Sequence, residues 1–213
     1  MRWYGFVQAG GGSTRFGTDK ALAKIAGRTM LQRTGDLLGH VCDEVSVIAP
    51  AAKYEGTPWK VIEDQWPGEG PLGGILTALH YLRAGQNESR TGDTESATQW
   101  AMILGCDLPF LTRDFLLFLR ERAGVSSAQV VAPESSNGLE PLCACWRADA
   151  LTSIQEEFDT GVRKVTQAMK QVRMEVLDES AWKRFDSGNR LFWNMNTRAD
   201  FLEASRILET ESQ

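Results

Sequence analysis

The chain has 213 residues, 42% of them hydrophobic and 24% charged, which suits one globular domain over residues 1–213 with a sizeable core. Lys+Arg 23 against Asp+Glu 28 gives a formal net charge of −5, so no overall basic field exists to draw nucleic acid or an anionic membrane, and any phosphate site has to be local. The opening MRWYGFVQAGGG reaches glycine after a short apolar run, which excludes a signal peptide or membrane span there and makes the cytoplasm the expected compartment.

In chain order, strand-like apolar runs fall at 4–8, 45–49, 60–62, 100–105, 129–132 and 142–146. Helical patterns lie between most of them. Met30, Leu31, Thr34, Leu37, Leu38 and Val41 share one 3.6-period face, and Leu72, Ile75, Leu76, Leu79 and Leu82 share another. This alternation predicts an α/β fold, a three-layer α/β/α arrangement around a Rossmann-like, mainly parallel sheet. Ligands in such folds bind beyond the carboxyl ends of the strands. The stretch 85–99, GQNESRTGDTESATQ, is polar and reads as a surface loop. Near the C-terminus, Phe201, Leu202, Ser205 and Leu208 are spaced for one face of a last helix over 197–208.

Cys42, Cys106, Cys143 and Cys145 form no CxxC pair and read as reduced core thiols. His40 and His80, the only histidines, each lie in an apolar helical pattern, which sets aside Ser-His and Cys-His chemistry.

The strongest local signal is AGGGSTRFGTDK, Ala9 to Lys20, directly after the first strand. Gly10, Gly11 and Gly12 allow close backbone approach and positive φ, turning N–H groups inward as an anion nest, while Arg15 and Lys20 add fixed positive charge. The same residues also fit a glycine-rich turn whose cations point into water. A Walker loop would need Lys after Gly17, where Thr18 stands, and the dinucleotide pattern from Gly10 and Gly12 meets Arg15 at its last glycine position.

Gly11, Gly12, Ser13, Arg15, Gly17 and Lys20 match the GGxSxRxGxxK signature loop of the NTP-transferase superfamily at every position. VIED ending at Asp64, GPLGGI from Gly70, LGCDLPFL from Leu104, EPLCACWR from Glu140 and WNMNTRADF from Trp193 follow in order. Together they resemble one branch, the molybdenum cofactor guanylyltransferases. The resemblance implies transfer of GMP from GTP to molybdopterin with release of pyrophosphate and Mg²⁺ as cofactor. It adds transient contact with molybdenum-loading or molybdoenzyme-maturation proteins as a possible partnership, with neither nucleic acid nor membrane as a partner. It places the nucleotide against Gln8, Ala9, Gly10, Gly11, Gly12, Ser13, Lys20, Asp64, Gly70, Pro71, Leu72, Gly73 and Asp107, and gives catalytic roles to Arg15, Lys20 and Asp107.

Asp107 ends an apolar strand and precedes Leu108 and Pro109, so its carboxylate would project into the cleft as a hard Mg²⁺ ligand; a plain turn aspartate is the competing account. Pro71 equally suits a helix start. Arg163 and Lys164 look like the family's basic pair for the acceptor phosphate, or a solvated charge pair. Asn194 and Asn196 alternate on an extended segment and are acceptor candidates, although Asn196 also fits a cap for the helix near Thr197. Two departures bear on base selectivity: Gln8 stands where the family usually has an apolar residue, and VIAP, Val47 to Pro50, lacks an asparagine that some members use. A cytidylyltransferase acting on molybdopterin, a sugar-phosphate nucleotidyltransferase and a non-catalytic nucleotide-binding protein are the alternatives.

Overall fold

The computed structural model describes residues 1–10, 19–50, 53–54, 56–89 and 98–211. From the N-terminus run β1 (Arg2–Gln8), a 3₁₀ turn (Lys20–Leu22), β2 (Lys24–Ile25), β3 (Arg28–Thr29), α1 (Met30–Gly39), β4 (Glu44–Ala49), β5 (Lys60–Glu63) and α2 (Pro71–Ser89). Next come β6 (Gln99–Gly105), α3 (Arg113–Val125), β7 (Val130–Ser135), β8 (Gly138–Leu139), β9 (Cys143–Arg147) and α4 (Leu151–Asp159). The chain ends with α5 (Val165–Ala168), β10 (Met174–Leu177), α6 (Glu179–Trp182) and α7 (Arg198–Glu211).

The main sheet has the order β10-β7-β9-β6-β1-β4-β5, with β8 paired to β7. β1 pairs in parallel with β4 and β6, β4 with β5, and β7 with β10. β9 runs antiparallel to both neighbours, β6 and β7, so the sheet is mixed at that place. Gln8 lies opposite Ile48 on one side and Gly105 on the other, which brings the carboxyl ends of β1, β4 and β6 level.

Every residue of β6 is buried, as a central strand covered on both faces requires. Its side chains alternate between two cores. Trp100, Met102 and Leu104 join the α1, α3 and α7 face, whereas Ala101 and Ile103 join the α2 and α4 face. Trp100 stacks on Trp3 with ring centroids 5.6 Å apart. Thr29 and Gln32 form a capping box at the start of α1, and Thr112 Oγ1 accepts from Phe115 N at the start of α3, so both helix entries satisfy orphan donors.

The polar stretch 85–99 differs from the loop expected there. α2 continues to Ser89, and β6 takes in Gln99 because Gln99 pairs in register with Arg2; residues 90–97 lie outside those described. No helix among the described residues is long and apolar enough to cross a membrane.

Candidate active site

A cleft of about 320 Å³ opens where β1, β4 and β6 end, and its lining includes Gln8, Ala9, Gly10, Asp19, Lys20, Asp64, Gly70, Pro71 and Asp107. The family resemblance implies all of these residues except Asp19; the fold supplies their proximity. Ala9 N donates to Ile48 O at 2.9 Å, extending the β1 ladder to the cleft edge. A Cβ at Gly10 would stand 2.9 Å from Pro50 Cδ, so the chain passes here only as glycine. Gly11, Gly12, Ser13, Arg15 and Gly17 lie outside the described residues.

The opposite wall is the entry to α2. Gly70 has φ 77°, a left-handed conformation natural to glycine, and delivers Pro71 to the first helical position. Gln8 Nε2 donates to Pro71 O at 3.1 Å, tying β1 to this wall, while Gln8 Oε1 is buried without a hydrogen-bond partner among the described residues. Asp64 Oδ1 accepts from Trp66 N at 3.0 Å and from Thr77 Oγ1 at 3.2 Å. Leu72 and Gly73, expected at the nucleotide, do not line the cleft. Leu72 is wholly buried in the core under α2, where its period puts it, and a Cβ at Gly73 would meet Trp66 O at 2.9 Å, so both support the wall from behind.

Lys20 opens the 3₁₀ turn that Asp19 caps by accepting from Ala21 N at 3.0 Å. Asp19 Oδ2 also accepts from Lys53 Nζ at 2.9 Å and Tyr54 OH at 2.8 Å. Burial pushes the Asp19 carboxyl up, but the bonds from Lys53, Tyr54 and Ala21 N outweigh it and hold it below its ordinary range. Lys20 Nζ reaches Asn196 Oδ1 at 3.1 Å.

Asp107 sits on the cleft floor two residues beyond β6. A Cβ at Gly105 would lie 2.7 Å from its Oδ1, so the carboxylate folds back over Gly105 and a side chain there would displace it. Burial pushes this carboxyl up, with the Lys20 charge and its own backbone N–H opposing. Glu140, which sequence reasoning did not single out, feels that charge. Burial raises its carboxyl, the Ser135 hydroxyl 2.7 Å away lowers it, and Asp107 raises it further.

The expected acceptor residues are not brought together. Arg163 forms an ion pair with Glu69, donates to Phe158 O at 2.8 Å and lies 3.8 Å over the Phe158 ring, on the α2 and α4 side. Its guanidinium is thereby paired with Glu69, the residue before Gly70. Lys164 is exposed ahead of α5. Asn194 and Asn196 flank Met195, which is buried in the core of the other face. Thr197, not Asn196, caps α7: its Oγ1 accepts from Asp200 N at 3.1 Å.

His80 meets Gln155 Oε1 at 2.9 Å and Trp66, away from the cleft, and His40 is exposed. All four cysteines are free. Cys106 lines the cleft, but burial pushes its thiol, and those of Cys143 and Cys145, well up, and that of Cys42 to about 12, so none is a ready nucleophile.

A cleft at level parallel-strand ends, with Lys20 and carboxylates lining it, is that of an α/β protein that binds its ligand at the strand ends, and the family comparison makes that class a nucleotidyltransferase. The chain belongs to the MobA-like NTP transferase family, whose domain model matches residues 5–173. It is 34% identical over 201 residues to a probable molybdenum cofactor guanylyltransferase of Deinococcus radiodurans, covering 93% of this chain and 92% of that one. A molybdenum cofactor guanylyltransferase of Syntrophotalea carbinolica is 26% identical over 196 residues, covering 92% and 87% of the two chains. In fold, the chain resembles the crystal structure of molybdopterin-guanine dinucleotide biosynthesis protein A from Archaeoglobus fulgidus. The TM-score is 0.79 at 18% identity over 97% of this chain and 99% of that one.

Proposed function

We propose that this chain, as a single cytoplasmic domain over residues 1–213, transfers GMP from GTP to the terminal phosphate of molybdopterin and releases pyrophosphate. The observation that carries the reading is the convergence of Lys20 and Asp107 on one cleft whose walls are Gln8 to Gly10 and Gly70 to Pro71. The names of the Deinococcus and Syntrophotalea relatives support GTP and the molybdenum cofactor as substrates.

An oxygen of the acceptor phosphate attacks the α-phosphorus in line, the α–β phosphoanhydride bond breaks, and pyrophosphate leaves with the bond electrons. The attacking oxygen is already anionic near neutral pH, so no side-chain base is required, and positioning with charge neutralisation supplies most of the rate. Ala9 and Gly10 present backbone to the nucleotide, Asp64 and the Gly70 to Pro71 wall face the nucleoside, and Lys20 meets the triphosphate, with Arg15 and the glycine loop as its further receptor. Asn194 and Lys164 remain the acceptor candidates whose side chains have no hydrogen-bond partner among the described residues.

Among the described residues no group of three or more His, Cys, Asp or Glu stands together as a metal cage. The Asp107 carboxylate on the cleft floor instead suits Mg²⁺, which keeps several waters and binds substrate phosphates. Asp107 would hold that ion, and its charge would neutralise the phosphates.

A thermal-shift series of GTP, CTP, UTP and ATP with Mg²⁺ tests the reading, because a ligand that binds only the folded state raises the melting point. GTP is expected to stabilise most. A preference for CTP would move the assignment to a cytidylyltransferase, and silence with every nucleotide would favour a non-catalytic role.

A further inference from the structure

Among the described residues, the side chain that hydrogen-bonds Lys20 Nζ comes from the far end of the sequence. Asn196 Oδ1 accepts from Nζ at 3.1 Å, across 176 residues. A lysine ammonium on a flexible four-carbon stem has no preferred aim of its own, so a fixed acceptor decides where the charge stands.

Asn196 is itself fixed from both sides. Before it, Met195 is fully buried and its N–H donates to Asp107 O at 2.8 Å. After it, Asp200 Oδ2 accepts from Asn196 N at 2.9 Å and Thr197 N at 2.7 Å, and Asp200 N returns a bond to Thr197 Oγ1 at 3.1 Å. This reciprocal pattern is a helix capping box, so the entry to α7 is a rigid mount. α7 also packs on β2, which follows the Lys20 turn. One short segment therefore holds the backbone of Asp107 and the ammonium of Lys20 at once.

We infer that Asn196 is a positioning residue that aims Lys20 at the nucleotide phosphates, rather than a ligand for the acceptor. The inference rests on the nucleotidyltransferase reading of the cleft and deepens it: the C-terminal helix sets the phosphate end of the nucleotide site. Asn196 works through Lys20, so its removal weakens binding only of ligands that carry the phosphates.

GTP and guanosine binding, measured by calorimetry on wild type, Asn196→Ala, Lys20→Ala and the double variant, tests this. Asn196 is exposed, so its truncation leaves the fold intact, and a thermal melt checks that. Asn196→Ala is expected to weaken GTP several-fold and leave guanosine within about twofold, and the double variant to bind GTP no worse than Lys20→Ala, because two members of one unit do not add. Independent, additive losses would overturn the inference. Wild-type GTP binding in Asn196→Ala together with impaired transfer would also overturn it and return Asn196 to the acceptor site. Wild-type GTP binding in Lys20→Ala would be a different failure, since it removes the phosphate role of Lys20 and takes the cleft reading down with the inference.

Discussion

Gly74 lies under the Gln8 side chain in the first turns of α2, and its replacement by alanine separates the stability of the cleft wall from its use. A Cβ at this position would stand 2.1 Å from Gln8 Nε2 and 2.6 Å from Cδ, so the glutamine has to leave. Loss of its bond to Pro71 O costs about 0.5–1.5 kcal/mol. Exchanging glycine for alanine within a helix returns about 1 kcal/mol. The two effects oppose each other, so Gly74→Ala should change stability by no more than about 1 kcal/mol and the Tm by about 4 °C or less. Binding has no such compensation. The open side available to Gln8 is the cleft it lines, where the displaced amide would occupy nucleoside space. GTP affinity should fall at least about tenfold, or about 1.4 kcal/mol. Calorimetric titration with GTP and Mg²⁺, beside a thermal melt, reads both quantities. Wild-type GTP affinity in a folded Gly74→Ala variant would refute the placement of the nucleoside against this wall.

Lys20→Ala should weaken GTP on the order of tenfold to a hundredfold, from about 1.5–3 kcal/mol for a hydrogen bond to a charged group, and leave guanosine unchanged; equal binding of GTP and guanosine by wild type would count against a phosphate cradle. Asp19→Asn tests the pH dependence of the turn that carries Lys20. The Asp19 carboxyl is held below its ordinary value of 3.8, so its stabilising contribution is fully present above that pH and is lost as pH falls through the lower folded value. Urea melts should show wild type ahead of Asp19→Asn by about 1 kcal/mol from pH 7 down to about 4, with the gap closing below, given the partial exposure of the pair. A gap that stays constant to pH 3 would mean that charge is not its source.

Most sheet strands were legible because burial on both faces writes a continuous apolar run, as in β6 and β1. β10 was not, since only Leu177 of its four residues is buried and an edge strand needs little apolar signal. The reversed direction of β9 was also hidden, because strand direction is a property of connection and pairing rather than of composition. Within the site, Lys20, Asp107 and Gly70 to Pro71 were legible through the ordered motifs that carry the family resemblance. Asp19 and Glu140 do not, because their character comes from Lys53, Tyr54 and Ser135 in other segments. Arg163 and Asn196 show the same limit. They are close enough in sequence to be read as one acceptor set, yet Arg163 pairs with Glu69, 94 residues away, on one side of the sheet, and Asn196 meets Lys20 on the other.

Asp107 is the residue at which stability and activity should part most clearly. In the ligand-free protein its carboxylate is desolvated on the cleft floor, opposed only partly by the Lys20 charge, and such a site is less stable with the charge than without it. Asparagine keeps the size and one carbonyl oxygen, so Asp107→Asn should fold normally and gain on the order of 1 kcal/mol at neutral pH, the scale typical of relieving a functional site. For a chain of this length that is a rise in Tm of about 2–4 °C. The variant should nevertheless lose transfer, and Mg²⁺ should no longer add to the stabilisation that GTP gives. Two measurements decide it: ligand-free melts of both proteins at pH 7, and GTP shifts with Mg²⁺ or with a chelator. A variant less stable than wild type would show that Asp107 serves the fold, and normal turnover at saturating Mg²⁺ would remove the ion from its carboxylate.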